Sequence, residues 1–158
     1  MAETTAAGAA LDLDRMLCFA IYSANGAFNR AYRPLLDKLG LTYPQYLVLL
    51  TLREHGDQTV GEIGARIFLE SNTLTPLLKR LEAAGHLVRR RDTADERQVR
   101  VALTDQGRSL LGDACAVTKS LGSGLGITQT QALELRDSIA ALRDALTAQG
   151  RADAGRDG

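Results

Sequence analysis

The chain has 158 residues and a formal net charge of zero, with 19 Lys and Arg against 19 Asp and Glu. That balance excludes a protein that coats nucleic acid over its whole surface, and the length suits one domain with room for a real core. Apolar residues make up 45% and aromatic ones 4%, so a core of Leu, Ala and Val on helices is expected, while the lack of any run near ~20 apolar residues or of a leader-like start points to a cytoplasmic protein without a membrane partner.

Residues 1–10 are small and polar and read as a disordered tail. Leu13, Leu17, Ala20, Ala24, Phe28 and Ala31 then form a helical stripe, within an N-terminal region over 11–40 read as a dimerisation helix that also carries the candidate sensor residues. Cys18 lies on the edge of this stripe, one turn before Tyr22, and Tyr32 and Tyr43 follow. With Asp14 and Arg15 one turn earlier, local charge gives no net pull on the thiol. Tyrosine hydroxyls that donate to sulfur would favour the thiolate; a small core residue is the other reading of such a cysteine.

Residues 41–104 read as one DNA-docking unit. Pro44 to Glu54 is an apolar helix, and Val60, Ile63 and Ile67 mark a short second one. In the next helix Leu74, Leu78 and Leu81 recur at i, i+4 and i+7 and face inward. Asn72, Thr73, Thr75, Pro76, Lys79 and Arg80 then face outward, with small polar residues on the first turn that can approach base edges and phosphates. Ser71 or Asn72 suits the N-cap, and Pro76 is placed near the first turn. A β-hairpin follows: Leu87-Val88-Arg89-Arg90-Arg91, a polar turn at Asp92–Glu96, then alternating Val99, Val101 and Leu103. From Lys79 to Arg100 there are seven Lys and Arg against four acids. A local basic patch on a neutral body fits a specific binder. The pattern is a winged helix-turn-helix: mainly α, with a small β-hairpin wing.

Thr104 is the N-cap of a further helix that runs to about Leu121, before the Gly122–Gly126 break. Thr128 and Gln131 have capping-box spacing, and Leu135, Ile139, Leu142 and Leu146 form a narrow apolar seam. Residues 105–149 are therefore read as C-terminal dimerisation helices and 150–158 as a second disordered tail. A two-fold homodimer suits a pseudo-palindromic operator on double-stranded DNA.

The runs Leu17-Cys18-Phe19-Ala20-Ile21-Tyr22, Tyr32-Arg33-Pro34-Leu35-Leu36-Asp37 and Leu41-Thr42-Tyr43-Pro44-Gln45-Tyr46 resemble the organic-hydroperoxide-sensing (OhrR-type) branch of the MarR regulators. Ser71 to Glu82 and Asp95-Glu96-Arg97 match as well, and the likeness covers roughly residues 11 to 148. It implies a winged-helix homodimer that represses transcription. By that resemblance Cys18 is the peroxidatic sensor. Tyr32 and Tyr43 hydrogen-bond it across the dimer, and Tyr22 lines the same pocket. Ser71 to Arg80 form the recognition helix, beside which Arg89 and Arg91 are expected as DNA contacts from the basic hairpin itself. Arg97 enters the minor groove from the wing tip, oriented by Asp95. An organic hydroperoxide is the implied inducer, with release following a sulfenic acid on Cys18. The family's second cysteine lies near the end of the helix after the wing, whereas Cys115 sits about two turns early. It is either the partner subunit's resolving thiol or a plain helix residue, with a low-molecular-weight thiol resolving.

Two other readings compete. One is a regulator released by a small phenolic or acidic ligand, with Cys18 structural. The other is a thiol peroxidase, against which no activating Pro/Thr motif precedes Cys18. His55 and His86, placed in a loop and at a helix end, are not at metal-ligand spacing with a cysteine. No enzyme activity, metal or cofactor is expected.

Overall fold

The computed structural model describes residues 12–154. It divides into two compact units, one through Leu121 and one from Gly122. The expected tail at 1–10 lies outside the described residues.

A short 3-10 turn, Leu13–Arg15, precedes the first helix; Asp12 caps it by accepting from the Asp14 N–H at 3.2 Å. Met16 is extended, and α1 starts only at Leu17 and runs to Asp37. Leu13 is therefore off the α1 stripe, and Asp14 and Arg15 are not at helical spacing from Cys18, which corrects both expectations. Helix α2, Tyr43–His55, opens with a full capping box between Thr42 and Gln45, with Pro44 in its first turn. A two-residue strand, β1 (Gln58–Thr59), comes next, and Thr59 with Glu62 makes a second capping box at the start of α3, Val60–Ile67.

Helix α4 spans Ser71–Ala83 and buries Leu74, Leu78 and Leu81 completely, as the leucine spacing requires. Each such side chain contributes about 1.5–3 kcal/mol of burial. Its N-cap is Glu70, which makes no side-chain cap bond, so Ser71 and Asn72 lie inside the helix rather than capping it. Pro76 is the sixth residue, in the second turn, and cannot donate to the Asn72 carbonyl. The helix closes through left-handed Gly85 (φ 80°), where the His86 N–H returns to the Leu81 carbonyl at 3.0 Å.

The wing is β2 (Leu87–Arg91) and β3 (Val99–Leu103), paired antiparallel with Leu87 opposite Leu103 and Arg91 opposite Val99. Strand β1 adds to the other side of β3, so the expected hairpin is a three-stranded sheet in the order β1-β3-β2. Helix α5, Asp105–Ser123, starts after Thr104, whose hydroxyl accepts from the Gly107 N–H at 3.0 Å and donates to the Gly85 carbonyl at 2.6 Å.

One core joins these pieces: Leu36 and Leu41, Val48, Leu49 and Leu52 of α2, Ile63 of α3, the α4 leucines, Leu87, Val101 and Leu103, and Leu111 and Ala114 of α5. The divisions expected at 40/41 and 104/105 are thus not packing boundaries. In the second unit α6 runs from Gln129 to Ala154 behind a Thr128–Gln131 capping box. Residues 150–154, expected in the tail, are helical; 155–158 lie outside the described residues. Leu135, Ile139 and Leu146 of the seam are about half exposed, at 55%, 48% and 59%. No helix among the described residues is long and apolar enough to cross a membrane.

Candidate DNA interface and thiol site

The outer face of α4 carries Ser71, Asn72, Thr73, Pro76, Lys79 and Arg80, all exposed, with Thr75 partly covered. The Thr75 hydroxyl donates to the Ser71 carbonyl at 2.7 Å and so turns back onto the helix. With no side-chain acceptor at Glu70, the first N–H groups of α4 point outward at the positive end of the helix dipole. This end suits a phosphate or an acceptor edge of a base.

The wing tip is shaped by two aspartates. Asp92 accepts from the Ala94 N–H at 2.7 Å and pairs with Arg100 at 3.1 Å. These bonds, the Ala94 N–H first, hold its carboxyl below the usual carboxylate range. Arg100 also donates to the Asp57 carbonyl at 3.3 Å, which ties β3 to the loop before β1. Asp95 accepts from the Arg97 N–H at 3.1 Å and from the Gln98 amide at 3.3 Å. It therefore orients Arg97 through the backbone, not by holding the guanidinium. Arg91 and Arg97 are exposed. Arg97→Ala is expected to weaken duplex binding by about 1–3 kcal/mol without loss of fold, as read by a binding titration at moderate salt.

Arg89 behaves differently from the other wing arginines. Its Nη2 and Nε lie 2.7 and 2.8 Å from Glu82 Oε2, and its backbone N–H donates to Glu82 Oε1 at 3.1 Å. Expected on the DNA face, this side chain is instead engaged by α4. Sequence reasoning missed Glu82, because seven residues across a turn give no periodic signal.

The thiol site is divided. Cys18 is exposed on α1, beside Leu17 (62% exposed), Ile21 (37%) and Tyr22 (75%). Tyr22 stacks near Phe19, with ring centroids 6.5 Å apart. Tyr32 and Tyr43 come together elsewhere, at 4.9 Å between centroids, with Tyr46 6.3 Å beyond Tyr43. Fourteen residues of helix, about 21 Å, separate Cys18 from Tyr32. Burial, and then the neighbouring Tyr32, push the Tyr43 hydroxyl above its ordinary pKa, so it stays protonated and able to donate. Asn25, Phe28, Asn29, Tyr32 and Tyr43 line a cleft of ≈ 270 Å³. Neither cysteine is in a disulfide. Cys115 is half-buried against the core, with Arg53 Nη1 3.2 Å from its sulfur. No sequence signal links these two residues, 62 apart. His55 ends α2 rather than standing in a loop, and His86 lies in the α4–β2 turn. No group of three His, Cys, Asp or Glu among the described residues could hold a metal ion.

An exposed polar helix face, a stapled basic wing and a shared apolar body define a winged-helix, DNA-binding transcriptional regulator. The chain belongs to the family described as transcriptional regulator SarA/Rot, whose model matches residues 30–114. It is 54% identical over 137 residues to the HTH-type transcriptional regulator TtmR of Methylorubrum extorquens, covering 87% of this chain and 70% of that protein. It is 41% identical over 132 residues to the organic hydroperoxide resistance transcriptional regulator of Bacillus subtilis, covering 84% and 88%. Among solved structures, reduced AbfR bound to DNA is 40% identical with a TM-score of 0.72, covering 85% of this chain and 92% of that one. AbfR, from Staphylococcus epidermidis, is also known in a disulfide-formed state, 41% identical with a TM-score of 0.60 over 82% and 91% of the two chains.

Proposed function

We propose that this chain is a homodimeric repressor that leaves its operator when Cys18 is oxidised by an organic hydroperoxide. The observation that carries the reading is the divided site: Cys18 stands on an uncovered apolar helix face, while Tyr32 and Tyr43 are paired about 21 Å away on the same chain. A second copy laid across α1 would cover Leu17, Ile21 and Tyr22 and bring its own tyrosines to the thiol. The apolar seam on α6 is a further surface for that copy. The likeness to a hydroperoxide-resistance regulator and to a protein known reduced and disulfide-formed supports a redox signal.

The chemistry follows from the thiol. Tyrosine O–H groups donate to sulfur and favour thiolate. The thiolate attacks the terminal peroxide oxygen, the O–O bond breaks, and the alcohol departs after taking up a proton. Cys18 is left as a sulfenic acid. A second thiol then condenses with it, releasing water and forming a disulfide. That thiol is Cys115 of the other subunit or a low-molecular-weight thiol. The new bond removes the tyrosine contacts and shifts the wings, so the two half-sites are no longer met at their fixed spacing.

The test is a gel shift on a duplex from the chain's own upstream region, with and without cumene hydroperoxide. Release that a dithiol reductant reverses supports the reading; unchanged binding after complete thiol oxidation overturns it. The ≈ 270 Å³ cleft beside Tyr32 and Tyr43 favours a second reading, in which a small phenolic or acidic ligand occupies it and Cys18 is inert. Under that reading no sulfenic acid is trapped on peroxide titration.

A further inference from the structure

The Glu82–Arg89 contact joins two surfaces that the proposed DNA reading needs at once. Glu82 lies in the last turn of α4, on the helix that presents Asn72, Thr73, Lys79 and Arg80 outward. Arg89 is the middle residue of β2, the strand that leads to the wing tip. Strand β2 is at the edge of the sheet, since the order is β1-β3-β2. Its hydrophobic anchorage fades quickly: Leu87 is buried, Val88 and Arg89 are half-buried, and Arg90 and Arg91 are exposed. Apolar packing therefore holds only the base of the wing.

Glu82 reaches past that base. One carboxylate oxygen takes both the Nε and Nη2 of Arg89, at 2.8 and 2.7 Å, and the other takes its backbone N–H at 3.1 Å. A backbone donor bonded to a helix side chain is not turned toward β3, so Glu82 also occupies the open edge of β2. The two side chains are 25% and 35% exposed, more sheltered than an ordinary surface pair. On the other side of the wing, Arg100 is tied to Asp92 and to the Asp57 carbonyl. The hairpin is thus held on both flanks.

Electrostatics alone argues against an acid here. Beside a phosphate backbone, Glu82 repels the duplex and neutralises the arginine next to it. We infer that Glu82 is a positioning residue for DNA recognition: through Arg89 it locks β2 to α4, so that helix and wing tip meet the duplex as one rigid piece. The inference rests on the reading of α4 and the wing as the DNA surface. With the lock in place the wing tip need not be ordered at the moment of binding.

The two accounts of this pair predict opposite signs. A duplex selected from a random pool by the wild-type protein serves as probe, with affinity read by fluorescence anisotropy across a salt series. If Glu82 positions, Glu82→Ala weakens binding roughly tenfold, although it removes a negative charge. Arg89→Ala weakens it by a similar factor, the double variant is no worse than either single one, and the salt slope is unchanged. Exchange of the charges, E82R with R89E, recovers part of the loss. If Arg89 instead contacts a phosphate, Glu82→Ala binds as well or better, and Arg89→Ala lowers the salt slope by about one. That result overturns the inference and leaves the DNA reading standing. Glu82→Gln, which keeps an acceptor for the Arg89 N–H, falls between wild type and Glu82→Ala and serves if the alanine variant folds poorly. Failure of the wild-type protein to enrich any duplex overturns the DNA reading, and this inference with it.

Discussion

Cys18→Ser is expected to bind its operator as the wild-type protein does and to stay bound when organic hydroperoxide is added. The residue is exposed on α1 and separated in the chain from every residue of the proposed DNA face, so binding in the reduced state does not involve it. Serine lacks the sulfur that accepts the peroxide oxygen, so no sulfenic acid forms and nothing drives release. A titration of operator binding against cumene hydroperoxide reads the effect, and a Cys18→Ser protein that still dissociates sinks the sensor assignment. Non-reducing electrophoresis of the oxidised wild type settles the second thiol. A covalent dimer that disappears in Cys115→Ser means intersubunit resolution. A protein that needs added small thiol means that Cys115, beside Arg53 and the core, serves packing.

Gly107→Ala is expected to destabilise the fold by about 3 kcal/mol, a sizeable part of an ordinary domain's stability. A Cβ at this position would land on the His86 carbonyl and press on Leu103 Cδ2 at 3.2 Å. The carbonyl cannot simply move away, because it accepts from the Thr104 N–H at 3.2 Å, and the Thr104 side chain bonds both Gly107 and Gly85. The turn after α4, the base of the wing and the start of α5 meet at this one glycine. Gly112→Ala, one turn and a half further along α5 and in open space, is the control. There the loss of glycine's backbone freedom stabilises the helix by roughly 0.5–1 kcal/mol. Urea midpoints that move equally for both variants would show that the close approach at Gly107 is relieved cheaply.

The helix-turn-helix was legible because its signals are periodic and local. Leu74, Leu78 and Leu81 state which face of α4 is inward, and Val99, Val101 and Leu103 do the same for β3. Strand β1 was not legible, since Gln58 and Thr59 are too few to show a period of two. The start of α1 was misjudged because Leu13 falls in phase with the helix, while Asp12 caps a separate 3-10 turn and Met16 breaks the run. Serine and asparagine at 71 and 72 are good caps in general, yet Glu70 takes the N-cap and supplies no bond. Arg89 carried the composition of a DNA contact, and only the three-dimensional neighbour Glu82 shows its other commitment. The thiol site was legible through likeness to a family more than through physics. A cysteine on an amphipathic helix reads as core, and the spare apolar face of that helix suggests a partner copy without saying which of its residues would meet the thiol.

The distance between Cys18 and its proposed donors would make the proposed peroxide sensing a property of the pair rather than of the polypeptide. Each chain would lend half of two sites and own neither. A protomer diluted until it stands alone would keep its thiol and its tyrosines and still be blind. Mixed dimers sharpen the point: a chain lacking Cys18 joined to one lacking the Tyr32 and Tyr43 hydroxyls would have one site with neither half and one site whole, where the second chain's thiol meets the first chain's tyrosines. Sensing capacity would therefore redistribute between the two sites instead of falling evenly, as complementation between defective alleles does in a shared active site.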